Sequence, residues 1–104
     1  MALMEITVIP LGTGSISVGD YIADIKQYLY DKNVEHSMYD MGTVIAGTTE
    51  ELLQLAREIH LIPFTKGAER VITNITLDER LDLDRKLGEK QQSINQRLRE
   101  RKVP

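Results

Sequence analysis

Hydrophobic and polar residues alternate near the start of the chain. In LMEITVI every second residue from Met4 to Val8 is apolar, and Glu5 and Thr7 stand between them. A period of two residues predicts a β-strand that turns one face toward a core. Pro10 is expected to end this strand.

A first helix is predicted from a stripe of apolar residues that runs to about Asp31. Ser17 precedes Asp20 by three residues, a spacing at which each side chain can satisfy the other's free backbone N–H at a helix start. The apolar residues that share one face of this helix are Val18, Tyr21, Ile22, Ile25 and Leu29.

The middle of the chain predicts a hairpin and a second helix. VEHSMYD and TVIAG flank Met41-Gly42, and Gly42 is expected to supply a positive φ at the turn. Thr48 and Glu51 repeat the capping spacing ahead of an apolar stripe of Leu52, Leu55, Ala56 and Ile59.

Pro63 is expected to kink or end this helix near residue 62, because a proline inside a helix loses a hydrogen bond and clashes with the preceding turn.

RVITNITLDE, residues 70–79, predicts the last strand, with Ile72 on the face opposite Val71 and Thr73.

From Leu81 onward a long, charged helix is predicted. Its apolar seam is narrow and consists of Leu83, Leu87, Ile94 and Leu98. Such a seam is typical of a helix that packs against another subunit or the edge of a sheet.

The resulting order is β-α-β-β-α-β with an extra C-terminal helix, the split βαβ pattern of an α+β, ferredoxin-like sandwich. Two helices then cover one face of the sheet and leave the other open, which favours pairing of sheets or edge strands between subunits. Ile72 would lie in that interface. We expect the loop after the first strand and the central hairpin to lie at opposite ends of the domain, so that they need not meet within one subunit. An oligomer could bring them together.

Length and composition restrict the kind of site. The 104 residues, 41% of them hydrophobic, predict a single domain spanning 1–104, large enough for one core but not for a large buried cavity as well. A ligand is therefore expected at a surface groove or between subunits.

The chain has no cysteine and two histidines far apart, so no metal site is expected. The lack of an apolar run of membrane-spanning length and of a signal-like N-terminus predicts a cytoplasmic protein.

Charge is distributed unevenly along the chain. Residues 1–79 contain five Lys or Arg and twelve Asp or Glu, whereas residues 80–104 contain eight and four. The basic C-terminal residues are interleaved with acidic ones and have no aromatic residues among them. A solvated helix face is therefore favoured over a nucleic-acid interface.

Catalytic groups are few. Only His36 and His60 could serve as the base that a serine or threonine nucleophile needs. His60, beside the apolar Ile59, is the better candidate, although a histidine that packs and hydrogen-bonds at a helix end is the favoured interpretation. The paired acids Glu50 and Glu51 fit the polarity of a helix start.

The GTGS stretch within PLGTGSISVGD, residues 10–20, resembles a phosphate cradle, because free N–H groups at a helix start attract anions. It lacks the Lys-Ser/Thr pair of a P-loop and the third glycine of a dinucleotide fingerprint. Alone, it is explained as a connector. Thr13, Ser15 and Ser17 nevertheless supply hydroxyls, and Thr43 supplies another at the hairpin.

Four stretches in this order resemble one family: EITVIPLGTGSISVGDYIA, MYDMGTVIAG, REIH and ERVITNITLDERLD. Together they are similar to the MTH1187-type thiamine-binding protein family from about Met4 to Lys90. The resemblance implies a ferredoxin-like fold in dimers and commonly tetramers, with thiamine or its hydroxymethylpyrimidine half bound noncovalently and no catalysis. Pro63 departs from the family, which generally continues its second helix there.

The matched positions imply a set of site residues, some of which could instead shape subunit contacts. These positions are Gly12, Thr13, Ser15, Ser17, Gly42, Thr43, His60, Arg70, and Arg80 with Asp82. Thiamine is a flat cation, so a site needs polar groups for the aminopyrimidine edge, a ring to stack on and negative charge near the thiazolium. Tyr21, Tyr39 and Asp40 are candidates for the ring and the charge, and the acidic first 79 residues favour a cation. Packing and turn formation would also explain them.

Arg70 or Arg80 would suit a phosphorylated ligand, but a simple surface ion pair is the favoured interpretation of each. Three hypotheses remain open. The first is a non-enzymatic binder of thiamine or a related pyrimidine at a subunit interface. The second is a structural or regulatory homo-oligomer without a ligand, and the third is a small-molecule enzyme that uses His60 as a base.

Overall fold

Four strands form one antiparallel sheet in the order β2-β3-β1-β4. The computed structural model describes residues 1–12, 18–83 and 86–103. Its elements are β1 (Ala2–Leu11), α1 (Val18–Asp31), β2 (His36–Tyr39), β3 (Gly42–Gly47), α2 (Thr49–Thr65), β4 (Arg70–Glu79) and α3 (Glu89–Glu100). The α+β class predicted from the sequence is confirmed.

Helices α1 and α2 cover one face of the sheet and enclose the core. The two-residue period of β1 places Met4 and Ile6 on this face, where they meet Leu29 of α1 and Ile59 of α2. The fully and nearly buried members of the core are Ala2, Met4, Ile6, Ile25, Leu29, Ile45, Leu52, Ala56 and Ile59. Thr48 caps α2 as predicted, because its side chain accepts a hydrogen bond from the Glu51 N–H.

The opposite, open face of the sheet carries Glu5 of β1, Val44 of β3 and Ser37 of β2 in register. Ile72 also lies on this face and is 37% exposed. Residues 86–91, at the start of α3, line a depression on this face together with residues of the sheet. None of the residues of α3 itself is buried.

Pro10, expected to end β1, and Pro63, expected to kink or end α2, both lie inside their elements. Pro10 is buried within β1, which continues to Leu11. The pairing of β1 with β3 stops at Ile6, while its pairing with β4 continues to Leu11. At Pro10 the edge of β1 on the side of β3 is therefore unpaired. An unpaired strand edge tolerates a residue that has no backbone N–H. Similarly, α2 continues through the buried Pro63 to Thr65, where the lost hydrogen bond affects only the last turn.

Two further predictions were wrong. Gly42 is not among the residues with positive φ, so its lack of a side chain matters for space and not for backbone conformation. The last helix starts at Glu89 and not near Leu81, because Gly88 has a φ of 81° and breaks helical geometry. Residues 81–83 are not helical.

Among the helices of the described residues, none has the length and apolar character needed to cross a membrane.

Candidate functional site

The end of β1 and the β2–β3 hairpin lie at the same end of the sheet. Ile6 pairs with Thr43, the second residue of β3, and Tyr39 at the end of β2 pairs with Gly42. Since β2 and β1 each run antiparallel to β3, they run parallel to one another and finish at the same edge. The expectation that the loop after β1 and the hairpin lie at opposite ends of one subunit was therefore wrong, and residues 13–17 of that loop lie outside the described residues.

A cavity of about 400 Å³ opens at this end of the sheet, and we call it the end cavity. Apolar side chains of β1, α1 and α2 form its inner wall, and the β2–β3 hairpin forms its outer wall. The lining residues are Ile6, Thr7, Val8, Ile9, Ile22, Ile25, Met38, Tyr39, Asp40, Met41, Gly42, Thr43 and Ile59.

Polar groups of the end cavity come mainly from the hairpin. Thr43 is the one buried polar residue of the described chain, at 5% exposure, whereas Tyr39 and Asp40 are exposed at the mouth. Beyond Ile6, no strand in the described part of the chain pairs with the β3-facing edge of β1. The cavity thus combines an apolar wall, one phenol, one carboxylate, two threonines and an unpaired strand edge, a combination typical of small-molecule sites.

Gly42 is tightly enclosed where the hairpin meets β1. A Cβ atom on this residue would lie 2.9 Å from Thr7 Cγ2 and 3.2 Å from the carbonyl oxygen of Ile6. It would also lie 3.6 Å from the phenol oxygen of Tyr39. Only glycine therefore lets the two chain segments approach to this distance.

Tyr39 is held by a partner on another strand. Its phenol donates a hydrogen bond to the Glu5 carboxylate on β1. This hydrogen bond is the main cause that raises the pKa of Tyr39 above its ordinary value, since losing the proton would leave two negative oxygens in contact.

Four of the predicted site residues, Tyr39, Asp40, Gly42 and Thr43, line the end cavity together. Thr13, Ser15 and Ser17 lie outside the described residues, and their place in the site stays a prediction.

Two other predicted positions lie at this end of the sheet without lining the cavity. Gly12 has a φ of 68°, and a Cβ atom on this residue would lie 3.3 Å from the Cβ of Glu69. Arg70 pairs with Leu11 across the β1–β4 ladder and is exposed. Both therefore flank the loop that follows β1.

His60 connects α2 to β4. Its Nδ1 lies 2.7 Å from the hydroxyl oxygen of Thr73, and its ring meets the edge of Phe64 with the ring centroids 5.7 Å apart. Thr73 in turn pairs with Val8, which lines the end cavity. The histidine itself is not among the lining residues.

Arg80 lies at the other end of β4. It follows Glu79, which pairs with Ala2 at the start of β1, and the ten residues of β4 separate the two ends by about 30 Å. Its guanidinium forms an ion pair and two hydrogen bonds with Asp82. These contacts hold the pKa of the Asp82 carboxyl below its ordinary value. The structure therefore does not bring Arg80 to the end cavity.

Sequence reasoning did not select Glu5 or Thr7, although both contact elements of the site. The alternation of β1 had already placed them on the face away from the core, where Tyr39 also lies. The missing information was the register between β1, β3 and β2, which a single sequence does not reveal.

A second depression lies on the open face, between the sheet and the segment 86–91, and we call it the face groove. It measures about 730 Å³, and its lining includes Glu5, Tyr39, Asp78, Glu89 and Lys90. The Nζ of Lys90 lies 3.7 Å from the Asp78 carboxylate. Charges of both signs thus neutralise one another along the face groove, and Tyr39 separates it from the end cavity.

Within residues 1–12, 18–83 and 86–103, no group of three or more His, Cys, Asp or Glu side chains is placed to hold a metal ion.

Comparisons with known proteins agree on one family. Residues 4–95 match the family described as thiamine-binding protein. A UPF0045 protein of Staphylococcus xylosus is 37% identical over 102 residues, which cover 94% of this chain and 95% of the relative.

Solved structures share the fold. A protein from Methanocaldococcus jannaschii superimposes with a TM-score of 0.78 at 28% identity, covering 90% of this chain and 95% of the other. A candidate thiamine biosynthesis/salvage protein from Thermotoga maritima gives a TM-score of 0.70 at 15% identity, covering 89% and 97% of the two chains.

Proposed function

The chain belongs to the thiamine-binding protein family, and from that premise we propose that it binds thiamine, or the hydroxymethylpyrimidine half of thiamine, without catalysing a reaction. The observation that carries the proposal is the end cavity, in which Tyr39, Asp40, Gly42 and Thr43 converge. The likeness in fold to the Thermotoga maritima protein is in keeping with the same ligand class.

The chemistry of the end cavity suits this ligand. Its volume of about 400 Å³ falls at the lower end of the range of about 300–1,000 Å³ found for small-molecule sites. The Tyr39 ring offers a face for the thiazolium cation, and the exposed Asp40 carboxylate offers the opposite charge. Thr43 and the unpaired edge of β1 offer hydrogen bonds to an aminopyrimidine, which presents donors and acceptors along one edge.

The proposal includes a homo-oligomer of ferredoxin-like subunits, a dimer or a tetramer, with the ligand site completed at a subunit interface. The strand order β2-β3-β1-β4 supports the ferredoxin-like assignment. Edge strand β4 exposes Ile72, Ile75 and Leu77 by 37%, 44% and 40%, and exposed apolar side chains on an edge strand favour association. The mouth of the end cavity is exposed at Tyr39 and Asp40, which leaves room for a partner subunit to contribute to the site.

The proposed function needs no catalytic base, metal or cofactor. His60 contacts Thr73 and Phe64 and stands outside the cavity lining, which supports a packing role over proton transfer to a ligand. We also propose a cytoplasmic location and no nucleic-acid or membrane partner, in keeping with the mixed charges of the C-terminal residues.

Calorimetric titration with thiamine and with hydroxymethylpyrimidine tests the proposal. The Asp40→Asn variant removes a carboxylate at the mouth while keeping the size of the side chain. We expect it to weaken thiamine binding about tenfold, as loss of one charge-assisted contact does, and to leave binding of the neutral pyrimidine within about twofold. Glu35→Gln, an exposed carboxylate at the opposite end of β2, is the matched control and should change neither affinity.

Saturable binding of neither ligand to the wild-type chain would contradict the proposal. Equal weakening by Asp40→Asn and Glu35→Gln would show that the end cavity is not where the cation binds. The His60→Ala variant should keep most of the affinity for thiamine, whereas an enzyme that uses this base would show turnover in the wild type and lose it in the variant.

A structural or regulatory homo-oligomer without a ligand is the second candidate function, and the exposed apolar residues of β4 favour it. Light scattering separates the two. A stable multimer that binds none of thiamine, hydroxymethylpyrimidine and thiamine diphosphate would support the oligomer alone.

A further inference from the structure

We propose that Glu5 is a positioning residue for the ligand, because its carboxylate fixes the Tyr39 ring at the boundary between the end cavity and the face groove. The inference rests on the proposed function, since it assigns a role to a side chain outside the end cavity in binding within it. Neither the sequence pattern nor the family match singles out Glu5.

The hydrogen bond between these side chains crosses a whole strand. Glu5 lies on β1 and Tyr39 on β2, and β3 runs between them. Adjacent strands are about 4.8 Å apart, so the two backbones are separated by about 10 Å. Both side chains must therefore extend toward one another across the open face for the phenol to reach the carboxylate.

Gly42 makes this crossing possible. The phenol oxygen of Tyr39 lies 3.6 Å from the point where a Cβ of Gly42 would stand, so the oxygen passes over bare backbone. Any larger side chain on the same face of β3 at this position would occupy the path between Tyr39 and Glu5. Gly42 and Glu5 thus act on the same ring, one by leaving space and the other by holding it.

The consequence is a preorganised wall for the ligand. Tyr39 is 43% exposed and lines both the end cavity and the face groove, so without a tether its ring would be free to turn into solvent. Ordering a mobile side chain at a binding site lowers affinity, and the tether removes that cost in advance. A carboxylate that accepts a hydrogen bond from the phenol also increases electron density on the ring, which strengthens its attraction for a cation.

Thiamine titration of four variants tests the inference. Glu5→Ala should weaken binding about five- to tenfold, the effect of one untethered side chain, and Tyr39→Phe, which keeps the ring, should weaken it by a similar factor. The Glu5→Ala/Tyr39→Phe double variant should be no weaker than either single one, since both remove the same hydrogen bond. Glu5→Gln keeps an acceptor oxygen and should stay within about threefold of wild type.

Two controls and one spectroscopic readout separate positioning from a general structural effect. Glu35→Ala removes another exposed carboxylate, and Tyr30→Phe removes the hydroxyl of a tyrosine that is 74% exposed on α1; both should bind as wild type does. Ultraviolet titration of the tyrosines should show the pKa of Tyr39 falling toward its ordinary value in Glu5→Ala. In the absence of ligand, the melting temperature of Glu5→Ala should stay within about 2 °C of wild type, as expected for substitution of an exposed side chain.

The titrations distinguish failure of the positioning role of Glu5 from failure of the proposed thiamine binding. If wild type binds thiamine and Glu5→Ala binds equally well, the positioning role is overturned while the proposed function stands. An affinity loss in Glu5→Ala that comes with a large fall in melting temperature, or additive losses in the double variant, would also overturn it. If wild type does not bind thiamine, the proposed function fails and this inference fails with it.

Discussion

Replacing Gly42 with alanine tests the packing at the base of the hairpin. The new Cβ would stand 2.9 Å from Thr7 Cγ2 and 3.2 Å from the Ile6 carbonyl oxygen. Neither atom can move easily, because threonine is stiff at χ1 and the carbonyl belongs to a paired strand. We therefore expect the hairpin to shift away from β1.

The expected free-energy change is the difference of two effects. Forcing a methyl group into a packed contact costs about 1–3 kcal/mol, while replacing glycine with alanine removes about 0.4–1 kcal/mol of unfolded-state entropy. The net loss of unfolding free energy is about 1–2 kcal/mol. For a domain of this size that corresponds to a melting temperature lower by about 5–10 °C.

Urea denaturation at a fixed protein concentration measures this loss, and a second substitution identifies its cause. Thr7→Ser removes the Cγ2 methyl group that the new Cβ would meet. The Gly42→Ala/Thr7→Ser double variant should therefore regain at least half of the stability lost in Gly42→Ala. A neutral or stabilising Gly42→Ala, or effects of Gly42→Ala and Thr7→Ser on the free energy of unfolding that simply add, would contradict a steric contact between the two residues.

Three further predictions concern the fold and the distal ion pair. Leu29→Ala should lower the free energy of unfolding by about 2–5 kcal/mol, because Leu29 is fully buried in the core and its truncation leaves a cavity; a loss below about 1 kcal/mol in chemical denaturation would contradict the packing. Thr48→Ala should cost about 1 kcal/mol by removing the N-cap of α2, whereas Thr48→Asp should restore most of it. The pKa of Asp82 is lowered by Arg80, so the ion pair stabilises the fold above the ordinary pKa of 3.8 and is lost as pH falls through the lower folded-state value. In Arg80→Ala, carboxyl NMR should show the pKa of Asp82 rising toward 3.8, and an unchanged value would refute the contact.

The sequence was most informative where a period was long and regular. The alternation in β1 and the apolar stripes of α1 and α2 predicted both the elements and the side that each one buries, whereas the alternation in β4 predicted the strand but not a buried face. The core residues Met4, Leu29 and Ile59 follow directly from these patterns. Local sequence was sufficient here because hydrophobic burial on one face decides the structure of each element.

Local rules failed where pairing or packing outweighed them. Pro10 stays in β1 because its free side carries no ladder, and Pro63 stays in α2 because it is buried near the last turn. Gly42 was expected for its backbone freedom, but the structure requires it for the close approach of Thr7. All three depend on neighbours distant in sequence.

The candidate site was predicted in part. The hairpin residues Tyr39, Asp40, Gly42 and Thr43 were selected from their residue types and from the family resemblance, and they line one cavity. Arg80 was selected with them but lies at the far end of β4. Glu5 was missed, because its contact with Tyr39 depends on the register of three strands.

Mapping of backbone amide chemical shifts during a thiamine titration would show whether thiamine binds in the end cavity. We expect saturable shifts at residues 7–9 and 39–43, which line the cavity, with residues 80–83 unaffected. Saturable shifts confined to residues outside the end cavity, or no shifts at millimolar thiamine, would contradict it.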